Sequence, residues 1–267
     1  MANIIRTHGL LGYGVSFSGI YNNSVANNNI TTNGSTAYGI YLSSSFNNSL
    51  TTNNITTLGA SEGIDLYLSS NNTIAANDIK TFGSIGYGVS LSSSSHNSIT
   101  ANTIKTNGTN AAGVFLITSS FSNIITTNNI TTLGDSGYGM HFHSSSNNSI
   151  INNNITTNGS SGHGIYFVSS GTKDNRFANM TIRTNNGSAN AIHVNSENHN
   201  FTIQDSIVNA STPGANDTHF ATGTSGMVNF TNVTSNNEFG FIGTTMAVLN
   251  VHWYLDAYAN YTNGTIA

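Results

Sequence analysis

Aromatic side chains and a single acidic one occupy one position of an alternating pattern, and these residues are the best suited to chemistry. Asp65 could serve as a general acid or base, but acid–base cleavage of a glycosidic bond needs a second carboxyl within about 5–10 Å. Glu62 lies in the adjoining turn and is the candidate for that second group. Tyr and Phe rings at the same position of other repeats offer flat faces on which sugar rings stack. The sequence therefore favours carbohydrate binding and leaves cleavage as an alternative.

Two histidines, His141 and His143, alternate within one short segment and project from the same face of a predicted strand. Imidazole nitrogens can jointly hold Zn²⁺ or Cu²⁺, and His163 or His193 would have to supply a third ligand. Cysteine is absent, so thiolate metal sites and disulfides are excluded. We therefore assign no metal and no cofactor, and we place these histidines on the candidate binding face.

The composition excludes two classes of function. Lys and Arg total six and the net charge is −4, whereas nucleic-acid binding relies on many cations that neutralise phosphates. No stretch of roughly 18 apolar residues occurs, so the sequence predicts no membrane span. Charged residues make up only 6% of the chain, but the regular spacing of Ile, Leu and Val argues against disorder.

An internal repeat of about 25 residues positions these side chains. Each unit contains three short alternating runs between Gly, Asn or Ser turns, which predicts three short strands per unit. A single unit cannot bury its apolar side, whereas stacked units can. The sequence therefore predicts an all-β chain, a right-handed parallel β-helix of about eight coils. Three interior columns are expected, headed by Ile30, Ile40 and Leu50.

Polar columns are expected at the turns of the same repeat. Asn recurs in two columns, one containing Asn48 and the other Asn53, where stacked amides can bond to one another between coils. Asn also tolerates the left-handed backbone region. A glycine column containing Gly34 and Gly59 is expected to serve turns that need a positive φ.

The second strand of each unit presents the candidate ligand-binding residues on its outer side. Coils lie about 4.8 Å apart, so these side chains are expected to form a continuous strip. Two alternatives are aromatic packing on a β surface, where Tyr and Phe are favoured, and cover by a neighbouring subunit or the C-terminal strands. The candidate residues are Tyr41, Asp65, Tyr67, Phe115, His141, His143, Tyr166 and His193.

The segment Asn48-Ser49-Leu50-Thr51-Thr52-Asn53-Asn54-Ile55 resembles the Asn-x-Ile-x-x-Asn-x-Ile repeat of the parallel β-helix family. That family belongs to the pectate-lyase-like superfamily and includes NosD-like domains and archaeal and bacterial surface adhesins. The resemblance covers roughly residues 3–208 and implies the fold, while the superfamily holds lyases, hydrolases, tailspikes and scaffolds. Its pectin-acting enzymes use clusters of Asp, or Asp with Lys and Arg, whereas Asp65 stands alone in its column. We therefore assign no catalytic residue.

These observations predict a β-helix over residues 1–208. Residues 209–267 are expected to form an irregular β cap or the start of a truncated following β domain. The repeat opens in mid-coil at Asn3, so we expect flanking domains in a longer parent protein. The function we expect is a non-catalytic module of a secreted or cell-surface protein, a spacer or adhesin that contacts polysaccharide. The alternatives are a polysaccharide lyase or hydrolase and a NosD-like metal-handling domain.

Overall fold

The structure, a computed structural model, confirms the predicted right-handed parallel β-helix, which winds through about nine turns. The strands are short and lie in three parallel stacks, so that each coil contributes one strand to each stack. Among the residues described, no helix is long and apolar enough to cross a membrane. The described residues are 3–169, 171–195, 199–212, 214–235, 239–241, 246–254, 261–262 and 265–266.

The three stacks correspond to the three alternating runs of the repeat. The first stack contains β1 (Ile4–Thr7), β4 (Asn29–Thr32), β7 (Asn54–Thr57), β10 (Asp78–Thr81), β13 (Thr103–Thr106), β16 (Asn129–Thr132), β19 (Asn154–Thr157) and β22 (Thr181–Thr184). The second stack contains β2 (Val15–Ser18), β5 (Ile40–Ser43), β8 (Ile64–Tyr67), β11 (Val89–Ser92), β14 (Ala112–Ile117), β17 (Tyr138–His143), β20 (Ile165–Val168), β23 (Ile192–Asn195), β25 (Thr218–Phe220) and β27 (Phe239–Phe241). The third stack contains β3 (Ser24–Ala26), β6 (Ser49–Thr51), β9 (Thr73–Ala75), β12 (Ser98–Thr100), β15 (Ile124–Thr126), β18 (Ser149–Ile151) and β21 (Asn175–Ala178).

Strands beyond residue 208 continue the parallel pairing of the coils. Strand β24 (Phe201–Ala210) pairs with both β21 and β22, and so joins the first and third stacks. Strands β26 (Ser225–Ser235) and β28 (Met246–His252) follow it in parallel. A short antiparallel pair, β29 (Tyr261–Thr262) and β30 (Thr265–Ile266), lies near the end of the chain. The division of the chain at residue 208 stays a prediction.

The interior is built from the three predicted apolar columns. Ile30 pairs in register with Ile55, Ile40 with Ile64 and Leu50 with Ile74. These six side chains are fully buried, because every second residue of each strand points inward. Burial of each such side chain contributes roughly 1.5–3 kcal/mol. The core therefore extends as a continuous apolar column through the stacked coils.

The predicted asparagine columns form hydrogen-bonded ladders. Asn53 Nδ2 donates to Asn77 Oδ1 at 3.0 Å, and the backbone N–H of Asn53 donates to the same oxygen at 2.9 Å. The second column repeats this geometry, with Asn72 Nδ2 donating to Asn97 Oδ1 at 3.2 Å. These Asn side chains are buried, and the ladders satisfy polar groups that water cannot reach. A serine column adds a third ladder, in which Ser69 N donates to Ser94 Oγ at 2.9 Å.

Two expectations about the turns were wrong in their physical reason. The left-handed conformation falls on the residue that precedes each ladder asparagine, as in Asn47 and Ala76, and the ladder asparagines themselves do not adopt it. The glycines of this column from Gly34 to Gly159 have no positive φ, unlike Gly9 at its start, and close packing between coils requires them instead. A Cβ on Gly134 would lie 1.8 Å from the carbonyl oxygen of Gly108, well inside van der Waals contact.

Candidate functional site

The outer side of the second stack holds the candidate residues, as the alternation predicts. Tyr41 lies in register with Asp65, and Asp65 lies in register with Ser90. Further along the stack, Phe115, His141 and Tyr166 form consecutive steps of the same column. The parallel register places all of these side chains one coil apart. His193 continues the column in β23.

A second column of aromatic residues lies beside the first and was not predicted. Each of its four tyrosines directly precedes a repeat glycine. Tyr13, Tyr38 and Tyr87 lie in the turn that leads into the second stack, and Tyr138 is the first residue of β17. The glycines allow adjacent coils to pack closely here, since a Cβ on Gly39 would lie 2.4 Å from the oxygen of Gly63 on the next coil. The signal that could have revealed the column is the recurrent Tyr-Gly dipeptide.

Together the two columns form a surface that we call the aromatic strip. Its rings contact one another in two groups, separated by the coil that carries Glu62 and Asp65. The strip consists of Tyr13, Tyr38, Tyr41, Tyr87, Phe115, Tyr138, His141, His163, Tyr166, His193 and His219.

The first group of rings lies at the N-terminal end of the strip. Tyr13 stacks on Tyr38 with ring centroids 5.3 Å apart, and Tyr41 lies 5.2 Å from Tyr38. All three side chains are partly exposed. These separations fit the offset geometry that aromatic pairs prefer, so the three rings present a joined apolar surface.

The second group is larger and surrounds Tyr138. The Tyr138 and Tyr166 rings lie 4.5 Å apart, and His141 lies 5.0 Å from Tyr166. Phe115 stacks on His141 at 4.6 Å and is only 8% exposed. Phe115 therefore supports the neighbouring rings and offers little free surface to a ligand, whereas Tyr138 and Tyr166 remain partly open to solvent.

Stacked imidazoles extend the strip toward the C-terminal coils. His163 and His193 lie 4.2 Å apart, and His193 and His219 lie 4.6 Å apart. Burial, reinforced by neighbouring imidazoles, lowers the pKa of His163 to about 4 and that of His193 to about 3. Burial also lowers the pKa of His141 to about 3. These imidazoles are therefore neutral at neutral pH and present aromatic surface without charge.

Tyr67 and His143 lie in the next outward column of the second stack. Tyr67 pairs in register with Ser92 and is 44% exposed. His143 pairs with Val168 and is partly exposed. Within the described part of the chain, neither residue has a ring contact with the aromatic strip, so they lie at its margin.

Glu62 and Asp65 form a carboxyl pair between the two groups of rings. Burial, and then the negative charge of Asp65, raises the pKa of Glu62 to about 8. Burial raises the pKa of Asp65 to about 6, although a hydrogen bond from Ser90 opposes the shift. At neutral pH the pair therefore holds one proton, mainly on Glu62, and one negative charge, mainly on Asp65.

No group of three or more His, Cys, Asp or Glu side chains is arranged to hold a metal ion among the residues described. His163 and His193 stack on each other, and the His219 ring is tilted against that of His193. The Nδ1 of His163 is also engaged, because it accepts the backbone N–H of Asn190 at 2.9 Å. The geometry therefore favours a ring surface over a metal centre.

A cavity of about 420 Å³ lies elsewhere, beside the third-stack strand β21 and strands β24 and β26. Its lining includes Arg176, Phe201 and Met227 and none of the candidate residues. Phe201 is almost completely buried, whereas Met227 is exposed. We therefore assign the candidate site to the aromatic strip and the carboxyl pair.

A sequence profile described as a right handed beta helix region matches residues 3–155 and 83–239 of the chain. The chain belongs to the right-handed β-helix family. No curated protein sequence matches this β-helix chain significantly. Family membership accounts for the coils and ladders but does not define the chemistry, which depends on the residues of the site.

Two solved structures show how widely this fold is used. The β-helix chain is similar to DFA-IIIase from Arthrobacter chlorophenolicus A6 without its lid, in complex with GF2, with 14% identity and a TM-score of 0.57. The match covers 86% of this chain and 62% of that enzyme chain. It is also similar to the receptor binding domain of the Siphovirus 9NA tailspike, with 12% identity and a TM-score of 0.53. That match covers 98% of this chain and 53% of the tailspike chain. At such identities the similarity establishes the fold alone, and the chain spans about half to two thirds of these relatives.

Proposed function

We propose that this β-helix is a module of a secreted or cell-surface protein, a spacer or adhesin, and that its aromatic strip binds a glycan chain. The observation that carries the proposal is the group of partly exposed rings at Tyr138, His141 and Tyr166, with centroids 4.5–5.3 Å apart. Ring faces offer large, rigid contact areas with little rotamer entropy to lose. A linear sugar chain lying along the coils would contact successive rings.

The charge distribution supports a glycan over a polyanionic ligand. In the parts of the chain that the structure describes, Lys and Arg are absent from the second stack. Arg6, Lys80, Lys105 and Arg183 belong instead to the first stack, and Arg176 belongs to the third. Nucleic-acid phosphates would meet no cation on the strip, so we propose no nucleic-acid partner.

The ladders support the role of a stiff spacer. The Asn ladders hold consecutive coils together through bonds such as Asn123 Nδ2 to Asn148 Oδ1 at 3.1 Å. Because each coil contacts mainly its neighbours, the solenoid presents its outer face as an extended surface. Such a scaffold holds the strip straight while a polymer binds along it.

The proposal is tested by replacing rings from both groups and measuring binding to immobilised polysaccharides. We expect Tyr41→Ala combined with Tyr166→Ala to weaken glycan binding at least about tenfold, because each lost ring contact is worth on the order of 1 kcal/mol. Tyr21→Ala is the matched control, since Tyr21 is 56% exposed and stacks on Phe46, which lies outside the strip. Equal binding by the double variant and the parent protein would exclude the strip as the glycan site.

The carboxyl pair favours a second candidate function, the acid–base cleavage of a bound polysaccharide. Near neutral pH, Glu62 is protonated and Asp65 is ionised, which is the division of roles that general acid–base catalysis requires. The test is the appearance of new oligosaccharide ends when the protein is incubated with each polysaccharide that it binds. Release that Glu62→Gln and Asp65→Asn both abolish would support a hydrolase or lyase. Binding without release would leave the spacer or adhesin role.

A further inference from the structure

The aromatic strip is interrupted at one coil, where acidic groups replace rings. In the column of residues that precede the repeat glycines, Glu62 stands between Tyr38 and Tyr87. In the neighbouring column, Asp65 stands between Tyr41 and Ser90. The coils that carry Tyr38 and Tyr87 are two spacings apart, about 10 Å. We call this interruption, one coil wide with rings on both sides and Glu62 and Asp65 between them, the slot.

The flanking rings lie close enough to respond to the carboxylates. Burial, and then the charges of Glu62 and Asp65, raises the pKa of Tyr38 above its ordinary value. Burial and the charge of Glu62 raise the pKa of Tyr87. The two tyrosines on either side of the slot thus share the electrostatic field of the carboxyl pair.

The carboxyl pair has no cationic partner within the described residues. An ion pair does occur in the described part of the chain, but it joins Lys80 to Asp78 at 2.6 Å on the first stack, away from Glu62 and Asp65. The groups that interact with the pair are the tyrosines Tyr38 and Tyr87 and the hydroxyl of Ser90, and none of them is a cation. A half-buried carboxylate without a counter-charge is costly, and a ligand cation would lower that cost.

We propose that Glu62 and Asp65, flanked by Tyr38, Tyr41 and Tyr87, form a subsite for a primary ammonium group, and that the glycan on the strip contains amino sugars. The inference rests on the proposed glycan-binding function. An ammonium in the slot would donate charge-assisted hydrogen bonds to the carboxylates and would lie against the negative faces of the tyrosine rings. The same groups would repel the carboxylates of a uronic-acid polymer, which supplies discrimination against that class.

The test compares three oligosaccharides of equal length by isothermal titration calorimetry on the intact protein. They are β-1,4-linked oligomers of glucosamine, of N-acetylglucosamine and of glucose, which differ only in the group at C2. We expect the glucosamine oligomer to bind at least about tenfold more tightly than the other two, because it alone carries ammonium groups. Glu62→Gln combined with Asp65→Asn should abolish this preference and retain the weaker binding of the neutral oligomers.

The control is Asp135→Asn, which removes an exposed carboxylate three coils away that accepts a bond from Ser160 and should keep the preference intact. Circular dichroism verifies that each variant is folded. Equal affinity for all three oligomers would overturn the ammonium subsite while leaving the glycan strip in place. Binding of none would overturn the strip and the subsite together. A preference for glucosamine that survives the double substitution would place the ammonium elsewhere and contradict the inference.

Discussion

The side-chain amide of Asn97 donates a hydrogen bond to Oδ1 of Asn123 at 3.2 Å and so joins two consecutive coils. The same side chain also accepts from the backbone N–H of Asn72 at 2.8 Å. Asn97 Nδ2 donates further to the carbonyl of Ser69 at 3.0 Å. One buried amide therefore satisfies groups on both neighbouring coils, in a chain in which only 6% of the residues are charged.

Replacing this amide should destabilise the coils around it. Asn97→Ala leaves buried donors and acceptors on both neighbouring coils without a partner, at about 1–3 kcal/mol for each such group. We expect a clear fall in the denaturant midpoint, measured by circular dichroism. Asn54→Ala is the matched control, because Asn54 points to solvent on a first-stack strand, and it should change the midpoint little. Equal effects of the two substitutions would contradict the role of the ladder.

The close approach of coils at the glycine column leads to a second prediction. Gly134→Ala would place a methyl group 1.8 Å from the oxygen of Gly108, so the coils must separate locally. We expect destabilisation of at least about 1–3 kcal/mol, as for other overpacked sites. Gly12→Ala serves as the comparison, since the nearest atoms to its Cβ would lie 3.2 Å away and would need to shift by only a few tenths of an ångström, so it should destabilise the protein less. An unchanged thermal midpoint for Gly134→Ala would show that close packing between coils does not require glycine at this position.

The stacked imidazoles predict loss of stability in acid. Burial lowers the pKa of His141 and His193 to about 3 and that of His163 to about 4, whereas an unfolded histidine has a pKa of about 6.5. As the pH falls below about 6.5, the unfolded chain binds protons that the folded chain does not. The free energy of unfolding therefore decreases down to about pH 3–4, by at most about 1.4 kcal/mol per pH unit for each histidine.

The measurement is the thermal midpoint between about pH 7 and pH 4.5. His193→Phe keeps a ring in the stack but removes one titrating group, so its midpoint should fall less steeply than that of the parent protein. A parent midpoint that stays level across this range would refute the assignment of neutral, buried imidazoles.

The carboxyl pair predicts the opposite pH dependence, in which its contribution to the free energy of unfolding falls as the pH rises. Because the pKa of Glu62 is raised to about 8 from an ordinary 4.5, the folded chain retains a proton that the unfolded chain releases. Its contribution is fully present below about pH 4.5 and is lost as the pH rises toward 8. Glu62→Gln should therefore stabilise the protein at about pH 8 relative to the parent. The thermal midpoints of both proteins at about pH 6 and pH 8 test this, and an unchanged difference between the two pH values would count against the raised pKa.

Alternation in the sequence was sufficient to predict the fold and the column of the aromatic strip that contains Tyr41 and Tyr166. Ile30, Ile40 and Leu50 point inward because they occupy alternate positions of short strands, and the same rule places Tyr41 and Tyr166 outside. These assignments depend on local pattern and on stacking at a fixed spacing. The alternation and the repeat spacing are both evident in the sequence of one chain.

Features that depend on contacts between coils were not predictable in the same way. Tyr38 and Tyr87 lie in a turn, where alternation gives no direction, so the second column of the strip was missed. Phe115 points outward as expected, but the rings of Tyr87 and His141 cover it. The left-handed residue at Ala76 is unfavourable by itself and is held by the ladder that follows it. Each of these depends on neighbours about 25 residues away in sequence.

A glycan array on the intact protein would determine whether the aromatic strip binds a glycan. The parent protein and the Tyr21→Ala control would be compared with the Tyr138→Ala and Tyr166→Ala double variant, which removes the most closely spaced tyrosine pair. We predict selective binding to a set of oligosaccharides by the first two proteins and loss of that binding in the double variant. Binding that persists in the double variant, or no binding by the parent protein to any glycan, would contradict glycan binding by the aromatic strip.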